Sequence, residues 1–248
     1  MTTVCVLCDP PREGVALPGL ADETPLSAAE AAGLYGAMLK DVCSAVAASG
    51  GDLLVNYRPD DALPDSPVDS LTQVRSTVAS AIDADEARFE VQVGETFSGR
   101  AGNTVSHLLE REEVTTAAVV EPTAAFLVRS IVDEAAMKLR RSEVVLGPTT
   151  RGRVYYAAFG STVDFADAYA PPAQVTLTER GVEAGHDVDF LPTLPVVESG
   201  DDLLTAAATI EARRAAGRPV PSYTAEFLDG VGLSVENGDG LALVTDRD

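Results

Sequence analysis

Charged side chains that could bind phosphate follow several of the expected strands of this 248-residue chain. The arginines in these strand-end segments are Arg12, Arg58, Arg100, Arg151 and Arg153. A guanidinium presents a planar fork of N–H donors that matches the oxygens of a phosphate group. In a protein that is otherwise rich in carboxylates, such a set of arginines indicates a ligand that carries phosphate.

The same segments contain separated carboxylates, namely Glu121, Glu198, Asp201 and Asp202. Carboxylate oxygens are ligands for Mg²⁺ or Mn²⁺, and such an ion can bridge a protein and a pyrophosphate group. The alternative is that loops are polar in general and that acidic residues cover the whole surface, so that neither set marks a site. The residue types alone leave both interpretations open.

Several common catalytic motifs are absent from the sequence. It has no Gly-x-Gly-x-x-Gly, no Gly-Lys-Ser/Thr phosphate loop and no Gly-x-Ser-x-Gly elbow. Two histidines, His107 and His186, are too few for a histidine-rich metal site. Cys5 and Cys8 fall in one predicted strand, where residues three apart face opposite sides, so we predict buried small side chains rather than a redox or zinc pair.

The charge balance is strongly acidic, because 18 basic and 39 acidic residues give a formal net charge of −21. This charge disfavours nucleic acids and anionic membranes as partners. The apolar run at residues 4–7 is too short for a signal peptide or a spanning helix, so we expect a cytoplasmic protein.

Lysine is rare in this chain, since only Lys40 and Lys138 are present and the other 16 basic residues are arginines. A surface dense in carboxylates and poor in lysine is typical of proteins that stay hydrated in concentrated salt. We therefore expect a halophilic protein of haloarchaeal type. The alternative is an ordinary acidic protein with an acidic face that binds a partner.

The elements that position the charged segments alternate between short apolar runs and helical periods. Strands are predicted at residues 3–8, 53–57, 88–93, 116–120, 143–147, 154–159 and 187–191, with helices between most of them. The pattern predicts a three-layer α/β/α domain with a mixed, mainly parallel sheet of about seven strands. Strand 154–159 follows only a short turn and is expected to run antiparallel. In open parallel sheets, ligands bind beyond the carboxyl ends of the strands.

This α/β domain is expected to span residues 1–216. Residues 217–221, rich in proline and glycine, are typical of a linker. Residues 217–248 are then expected to form a small tail, packed on the same domain, with a hairpin turn at residues 237–240. A loop is expected at residues 94–102, before a helix at residues 103–110.

Three segments together resemble a known family: residues 26–35, the strand 53–57 followed by Arg58-Pro59, and Val144-Val-Leu-Gly-Pro148 followed by Val154-Tyr-Tyr156. They are similar to small GT-A-fold nucleotide-diphospho-sugar transferase-like proteins. The subgroup they resemble is that of radical-SAM/selenodomain-associated transferases, related to 2-phospho-lactate guanylyltransferase. The resemblance continues through residues 172–180, 190–192 and 201–203. It implies a nucleotidyl- or glycosyltransferase that binds a nucleotide or nucleotide-sugar with Mg²⁺ or Mn²⁺.

The chain departs from the family at the motifs that carry its chemistry. Residues 14–18 replace the family's Lys-Thr-Arg run, so that only Arg12, upstream, could substitute. Val120 stands at the position of a metal-binding aspartate, with Glu121 beside it. Residues 196–198, Val-Val-Glu, replace Asp-Val-Asp, and residues 151–153, Arg-Gly-Arg, replace Asp-Gly-Gly.

From this resemblance we expect a metal site at Glu121 and Glu198, with the two carboxylates within about 8 Å of each other. We expect the nucleotide phosphates to contact Arg12, Gly102, Arg151 and Arg153, unless Arg151 and Arg153 pair with local carboxylates instead, such as Asp164, Asp167 or Glu179. No catalytic residue is assigned and the oligomeric state stays open. The alternative function is a catalytically degenerate GT-A domain that binds a nucleotide or a protein partner without turnover.

Overall fold

Seven strands form one sheet in the computed structural model, which describes residues 2–237 and 240–246. They are β1 (Thr2–Cys8), β2 (Asp52–Tyr57), β3 (Arg88–Val91), β4 (Thr116–Val120), β5 (Val144–Pro148), β6 (Val154–Phe159) and β7 (Val188–Phe190). Their order across the sheet is β3-β2-β1-β4-β6-β5-β7. All neighbouring pairs are parallel except the two that involve β6. The mixed, mainly parallel sheet and its antiparallel strand are therefore confirmed.

Eight α-helices connect or follow these strands within the described residues. They are α1 (Leu20–Glu23), α2 (Ala28–Ala47), α3 (Ser70–Ala79), α4 (Phe97–Glu110), α5 (Arg129–Lys138), α6 (Ala173–Glu183), α7 (Gly200–Ala215) and α8 (Ser222–Gly230). The predicted capping box at the start of α2 is present, since Ser27 and Glu30 each accept a hydrogen bond from the other's backbone N–H. None of the helices described is long and apolar enough to cross a membrane.

The core has two layers because alternate residues of the central strand β1 face opposite sides of the sheet. Val4, Val6 and Cys8 pack with residues of α2, α3 and α5. Cys5 and Leu7 pack on the other side with residues of α4 and α6. Cys5 and Cys8 are thus buried on opposite faces, which confirms that they are packing residues and not a redox pair.

Helix α4 begins six residues earlier than the sequence pattern predicts. The Thr96 hydroxyl accepts a hydrogen bond from the backbone N–H of Gly99 at 3.0 Å, which caps the helix at its true start. Gly102 consequently lies inside α4, where it is buried. A Cβ at Gly102 would lie 2.5 Å from the Cβ of Phe165. The expected loop at Gly102 is therefore wrong, and the lack of a side chain there permits close packing against Phe165.

The segment after α7 contains a helix that the sequence analysis did not predict, α8, followed by an antiparallel hairpin of β8 (Leu233–Asn237) and β9 (Leu241–Thr245). Residues 238 and 239 of the predicted turn lie outside the described residues. Helix α8 lacks a capping side chain of its own, because Pro221 precedes it. Asp41 of α2 caps the helix instead. Its carboxylate accepts a hydrogen bond from the N–H of Tyr223 at 3.0 Å. It also accepts hydrogen bonds from the N–H of Thr224 at 2.8 Å and from the hydroxyl of the same residue at 2.7 Å.

Candidate functional site

The carboxyl ends of the parallel strands bring several charged residues to one edge of the sheet. Asp9 follows β1, Arg58 follows β2 and Glu121 follows β4. Arg153 directly precedes β6, which starts at the same edge because it is antiparallel. Arg100 comes from the first turn of α4. We refer to Asp9, Arg58, Arg100, Glu121 and Arg153 as the carboxyl-edge site.

Glu121 is a partly buried carboxyl group whose oxygens accept no hydrogen bond from the described residues. Burial raises its pKa to about 8, and the negative charges of Glu198 and Asp9 act in the same direction. The positive charges of Arg100 and Arg153 act against this rise. Glu121 therefore titrates close to neutral pH, which is unusual for a carboxyl group and characteristic of functional sites.

Arg100 keeps part of its guanidinium free of protein partners. Its Nη1 donates to the backbone oxygen of Glu95 at 3.0 Å, whereas its buried Nε has no hydrogen-bond partner among the described residues. The guanidinium lies 5.8 Å from the ring centroid of Phe97, which in turn packs edge-on against Tyr169. Burial lowers the pKa of Arg100, and the charge of Arg58 lowers it further, against the opposing effect of Asp9 and Glu121.

Two buried hydroxyl groups near this edge also lack partners within the described part of the chain. They belong to Thr149, which follows β5, and to Tyr169. Burial raises the pKa of Tyr169, and the charge of Glu121 contributes to the rise, so the tyrosine lies within electrostatic range of that carboxyl group. Buried polar groups in folded proteins are nearly always hydrogen-bonded. Arg100 and Tyr169 therefore supply unpartnered polar atoms on side chains within electrostatic range of Glu121.

Arg153 has no free N–H group. Nη1 donates to Glu198 at 2.8 Å and to Asp202 at 2.9 Å, and Nη2 donates to Asp202 at 2.8 Å and to the hydroxyl of Thr150 at 2.9 Å. Nε donates to the backbone oxygen of Thr150 at 3.2 Å. Burial raises the pKa of Asp202, but the hydrogen bonds and charge of Arg153 outweigh this effect, and the net shift is downward. Arg153 thus fixes the β5–β6 turn to the start of α7.

The hydrogen-bond partners of Arg153 differ in two ways from those expected from the sequence. The residue is paired with carboxylates rather than kept free for phosphate, but the partners are not Asp164, Asp167 or Glu179. Asp164 pairs instead with Arg180, at 3.2 Å. Direct phosphate binding by Arg153 therefore conflicts with its hydrogen bonds.

Arg12 and Arg151 differ in how much of each guanidinium remains available. The side chain of Arg12 is only 11% exposed, and it donates to Gln73, Asp60 and the backbone oxygens of residues 64 and 68. Arg12 therefore holds the segment after β2 in place and is not available to a phosphate. Arg151 is 60% exposed and forms a single ion pair with Asp201 at 2.8 Å, so it retains free donors.

One of the two expected metal ligands, Glu198, is already paired with an arginine. Glu121 and Glu198 interact electrostatically, as the rise in the pKa of Glu121 shows, but Glu198 is bonded to Arg153. Among residues 2–237 and 240–246, no group of three or more His, Cys, Asp or Glu side chains is placed to hold a metal ion. Mg²⁺ is usually held by one or two carboxylates together with substrate phosphates, and the pairing of Glu198 with Arg153 makes this donor set a poor fit for it.

Three of the residues found here were not singled out by the sequence analysis. Asp9 and Thr149 each follow a strand directly, which is a signal that could have identified them. Tyr169 lies far from any strand end in the sequence and gives no such signal. Arg58 and Arg100 were recognised only as members of a larger set of arginines.

A groove of about 500 Å³ lies at the opposite, amino edge of the sheet, lined among others by Thr2, Gly51, Thr116, Met137 and Arg140. None of the residues that line it has a buried polar side-chain atom without a hydrogen bond. The chemistry of its lining therefore does not favour this groove over the carboxyl-edge site.

Comparison of the sequence with known proteins finds no matching family model and no matching curated protein. The structure is similar to that of a protein from Desulfovibrio desulfuricans G20 proposed to be a nucleotide-diphospho-sugar transferase, with 16% identity, a TM-score of 0.74 and coverage of 92% of this chain and 94% of the other. It is also similar to a 4-diphosphocytidyl-2C-methyl-D-erythritol synthase from Anaerococcus prevotii DSM 20548 (11% identity, TM-score 0.51, coverage 85% and 96%). A third structure is a cytidylyltransferase from Leptospira borgpetersenii (9% identity, TM-score 0.51, coverage 90% and 96%).

Identities this low establish the fold alone. The three-layer architecture expected from the family resemblance is confirmed, with the D. desulfuricans protein matching over nearly the whole of both chains. The subgroup and the haloarchaeal source stay predictions.

Proposed function

We propose that this chain is a nucleotide-dependent transferase whose carboxyl-edge site binds the phosphate groups of a nucleotide or a nucleotide-sugar. The observation that carries the proposal is the unpartnered Nε of Arg100, a side chain within electrostatic range of Asp9 and Glu121 at the edge where open α/β sheets bind ligands. Arg58 and the exposed Arg151 add positive charge nearby. The names of the structurally similar proteins, which refer to cytidylyl transfer and to nucleotide-diphospho-sugars, agree with this ligand class.

The state of Glu121 supports transfer chemistry over binding alone. Moving a nucleotidyl or glycosyl group to an acceptor hydroxyl requires removal of the hydroxyl proton. A general base is most effective when its pKa lies near the working pH, and the pKa of Glu121 is about 8. Its oxygens are free of hydrogen bonds from the described residues and can accept that proton.

Ligand binding is tested by titrating the four common ribonucleoside triphosphates and UDP-glucose into the protein by calorimetry. We expect at least one of them to bind and Arg100→Gln to weaken that binding by about 10- to 100-fold, the effect of losing a charged hydrogen bond. Thermal unfolding should change little. Arg111→Gln is the matched control, because Arg111 is the exposed residue that ends the same helix. A protein that binds none of these compounds contradicts the proposal.

Turnover is tested without the natural acceptor, because water can replace it. We expect slow hydrolysis of the bound nucleotide, followed by ³¹P NMR, and at least tenfold slower hydrolysis in Glu121→Gln with unchanged affinity. Tight nucleotide binding with no hydrolysis above the uncatalysed rate would favour the alternative, a GT-A domain that binds its ligand without turnover.

A further inference from the structure

Three carboxylates at or beside the carboxyl-edge site are paired with arginines that belong to the protein itself. Asp9 pairs with Arg58 at 3.1 Å. Glu198 and Asp202 share Arg153, and the pair with Asp202 is bidentate, with both N–O distances below 3.0 Å. The Asp202 side chain is only 8% exposed and that of Arg153 only 22%, so solvent screens this cluster weakly.

A divalent cation would have to displace Arg153 to coordinate Asp202, because both oxygens of that carboxylate are bonded to the guanidinium. Glu198 and Asp202 both accept a hydrogen bond from the same guanidinium nitrogen, Nη1 of Arg153. The backbone N–H of Glu198 also donates to Asp202 at 3.2 Å, which further fixes the carboxylate. Charge-assisted, bidentate bonds of this kind are the strong ones in proteins.

We propose that this site binds its nucleotide without a divalent cation, because Arg153 pairs with Glu198 and Asp202 in place of a metal ion while Arg100 contacts the phosphate. Arg153 is in this role a positioning residue, since all of its N–H groups are bonded to the protein. The proposal rests on the proposed function, in that a nucleotide must bind at this site.

The first test compares the wild-type affinity for the bound nucleotide in excess EDTA with the affinity in excess Mg²⁺ and in excess Mn²⁺. We expect the dissociation constants to agree within about threefold, because Arg153 is already paired with the carboxylates that a metal ion would bind. Binding that disappears in EDTA overturns the proposal and leaves the proposed function intact. Failure of every nucleotide to bind under all conditions instead removes the proposed function.

The second test needs no nucleotide and uses Mn²⁺ alone as the probe. Arg153→Met leaves Glu198 and Asp202 without a cation and should create a Mn²⁺ site, measured by electron paramagnetic resonance at high KCl concentration to screen the acidic surface. We expect Mn²⁺ to bind at least tenfold more tightly to this variant than to the wild type. The double variant Arg153→Met/Glu198→Gln should lose that gain.

Two further variants separate this effect from a simple change of charge. Arg151→Met removes a positive charge from the same turn, where the partner is the exposed Asp201, and should not create a Mn²⁺ site. Arg153→Lys keeps a cation beside both carboxylates and should not create one either. A folded Arg153→Met that gains no Mn²⁺ site, or a wild-type protein whose tight Mn²⁺ binding is abolished by Glu198→Gln, overturns the proposal. If Arg153→Met does not fold, two other measurements decide the proposal. They are the wild-type nucleotide affinities in EDTA, Mg²⁺ and Mn²⁺, and the Mn²⁺ affinity of the wild type compared with that of Glu198→Gln.

Discussion

Glu121 shows how a single buried carboxyl group can make stability depend on pH. Its pKa rises from 4.5 in the unfolded chain to about 8 in the folded one, mainly because burial disfavours the charged form. Between these values the folded state binds more protons, so the free energy of unfolding falls as pH rises. This stabilising contribution is fully present below about pH 4.5 and is lost as pH rises through about 8.

The glutamine side chain in Glu121→Gln cannot ionise. The variant should therefore not lose this contribution to stability as the pH rises. Relative to the wild type, we expect the variant to gain roughly 3 to 5 kcal/mol in free energy of unfolding between pH 5 and pH 9. Urea unfolding at the two pH values, at constant salt, measures it. Glu95→Gln, a change at an exposed carboxylate close by, should follow the wild-type profile. Parallel profiles for Glu121→Gln and the wild type would show that Glu121 is ionised at neutral pH.

The sequence identified the right kinds of residue at this site but not their partners. Arg153 bonds to carboxylates 45 and 49 positions later, because the β5–β6 turn and the start of α7 meet only in the fold. Two of the four acceptors of Arg12 are backbone oxygens, which no residue pattern reveals. The unpartnered state of Arg100 is likewise a property of tertiary burial. The kinds of residue at the site were therefore predictable from the sequence. The hydrogen-bond partners of each arginine were not.

At the level of elements, the strands were predicted well because their apolar runs are short, buried and bounded by turn residues. Helix α4 was predicted to start late because Gly99 and Gly102 have low helix propensity, and close packing in the fold outweighs that preference. Helix α8 was missed because Asp41, which caps it, lies in α2. The cap of α8 thus lies in another element, where the local sequence gives no sign of it.

Gly102→Ala tests the packing role of this glycine. The added Cβ would meet Phe165 at 2.5 Å, and overpacking of this kind costs about 1–3 kcal/mol. Gly99→Ala in the same helix is the control, because its Cβ would meet only the Thr96 hydroxyl at 3.2 Å. We expect that variant to have nearly unchanged stability in chemical unfolding. Equal effects of the two substitutions would contradict close contact between α4 and Phe165.

Asp41→Ala tests the cap that α2 supplies to α8. The change removes three hydrogen bonds and leaves the donors of the fully buried Thr224 without partners, at a cost of about 2–4 kcal/mol. Asp41→Asn keeps one acceptor oxygen and should cost less. Hydrogen exchange at Tyr223 and Thr224 should accelerate in the alanine variant. Unchanged exchange there would show that α8 is held by packing alone.

The whole molecule carries a net charge of −21, so its carboxylates repel one another over the entire surface. The Debye length is about 10 Å at 0.1 M salt and about 3 Å at 1 M, which leaves little of this repulsion in concentrated salt. Arginine networks such as that of Arg88 with Glu90 and Glu112 offset the repulsion only locally. The folded state, which brings the carboxylates closest together, should therefore gain most from screening.

We accordingly expect the unfolding temperature to be clearly higher in about 2 M KCl than in about 0.1 M KCl. A general effect of salt on apolar burial would act equally on a variant with fewer charges. The triple variant Asp61→Asn/Asp65→Asn/Glu86→Gln removes three exposed carboxylates that form no ion pair with the described residues. If repulsion is the cause, this variant melts at a higher temperature than the wild type in low salt, and the difference narrows in high salt. Equal unfolding temperatures of the wild type at both concentrations would exclude an adaptation of this surface to concentrated salt.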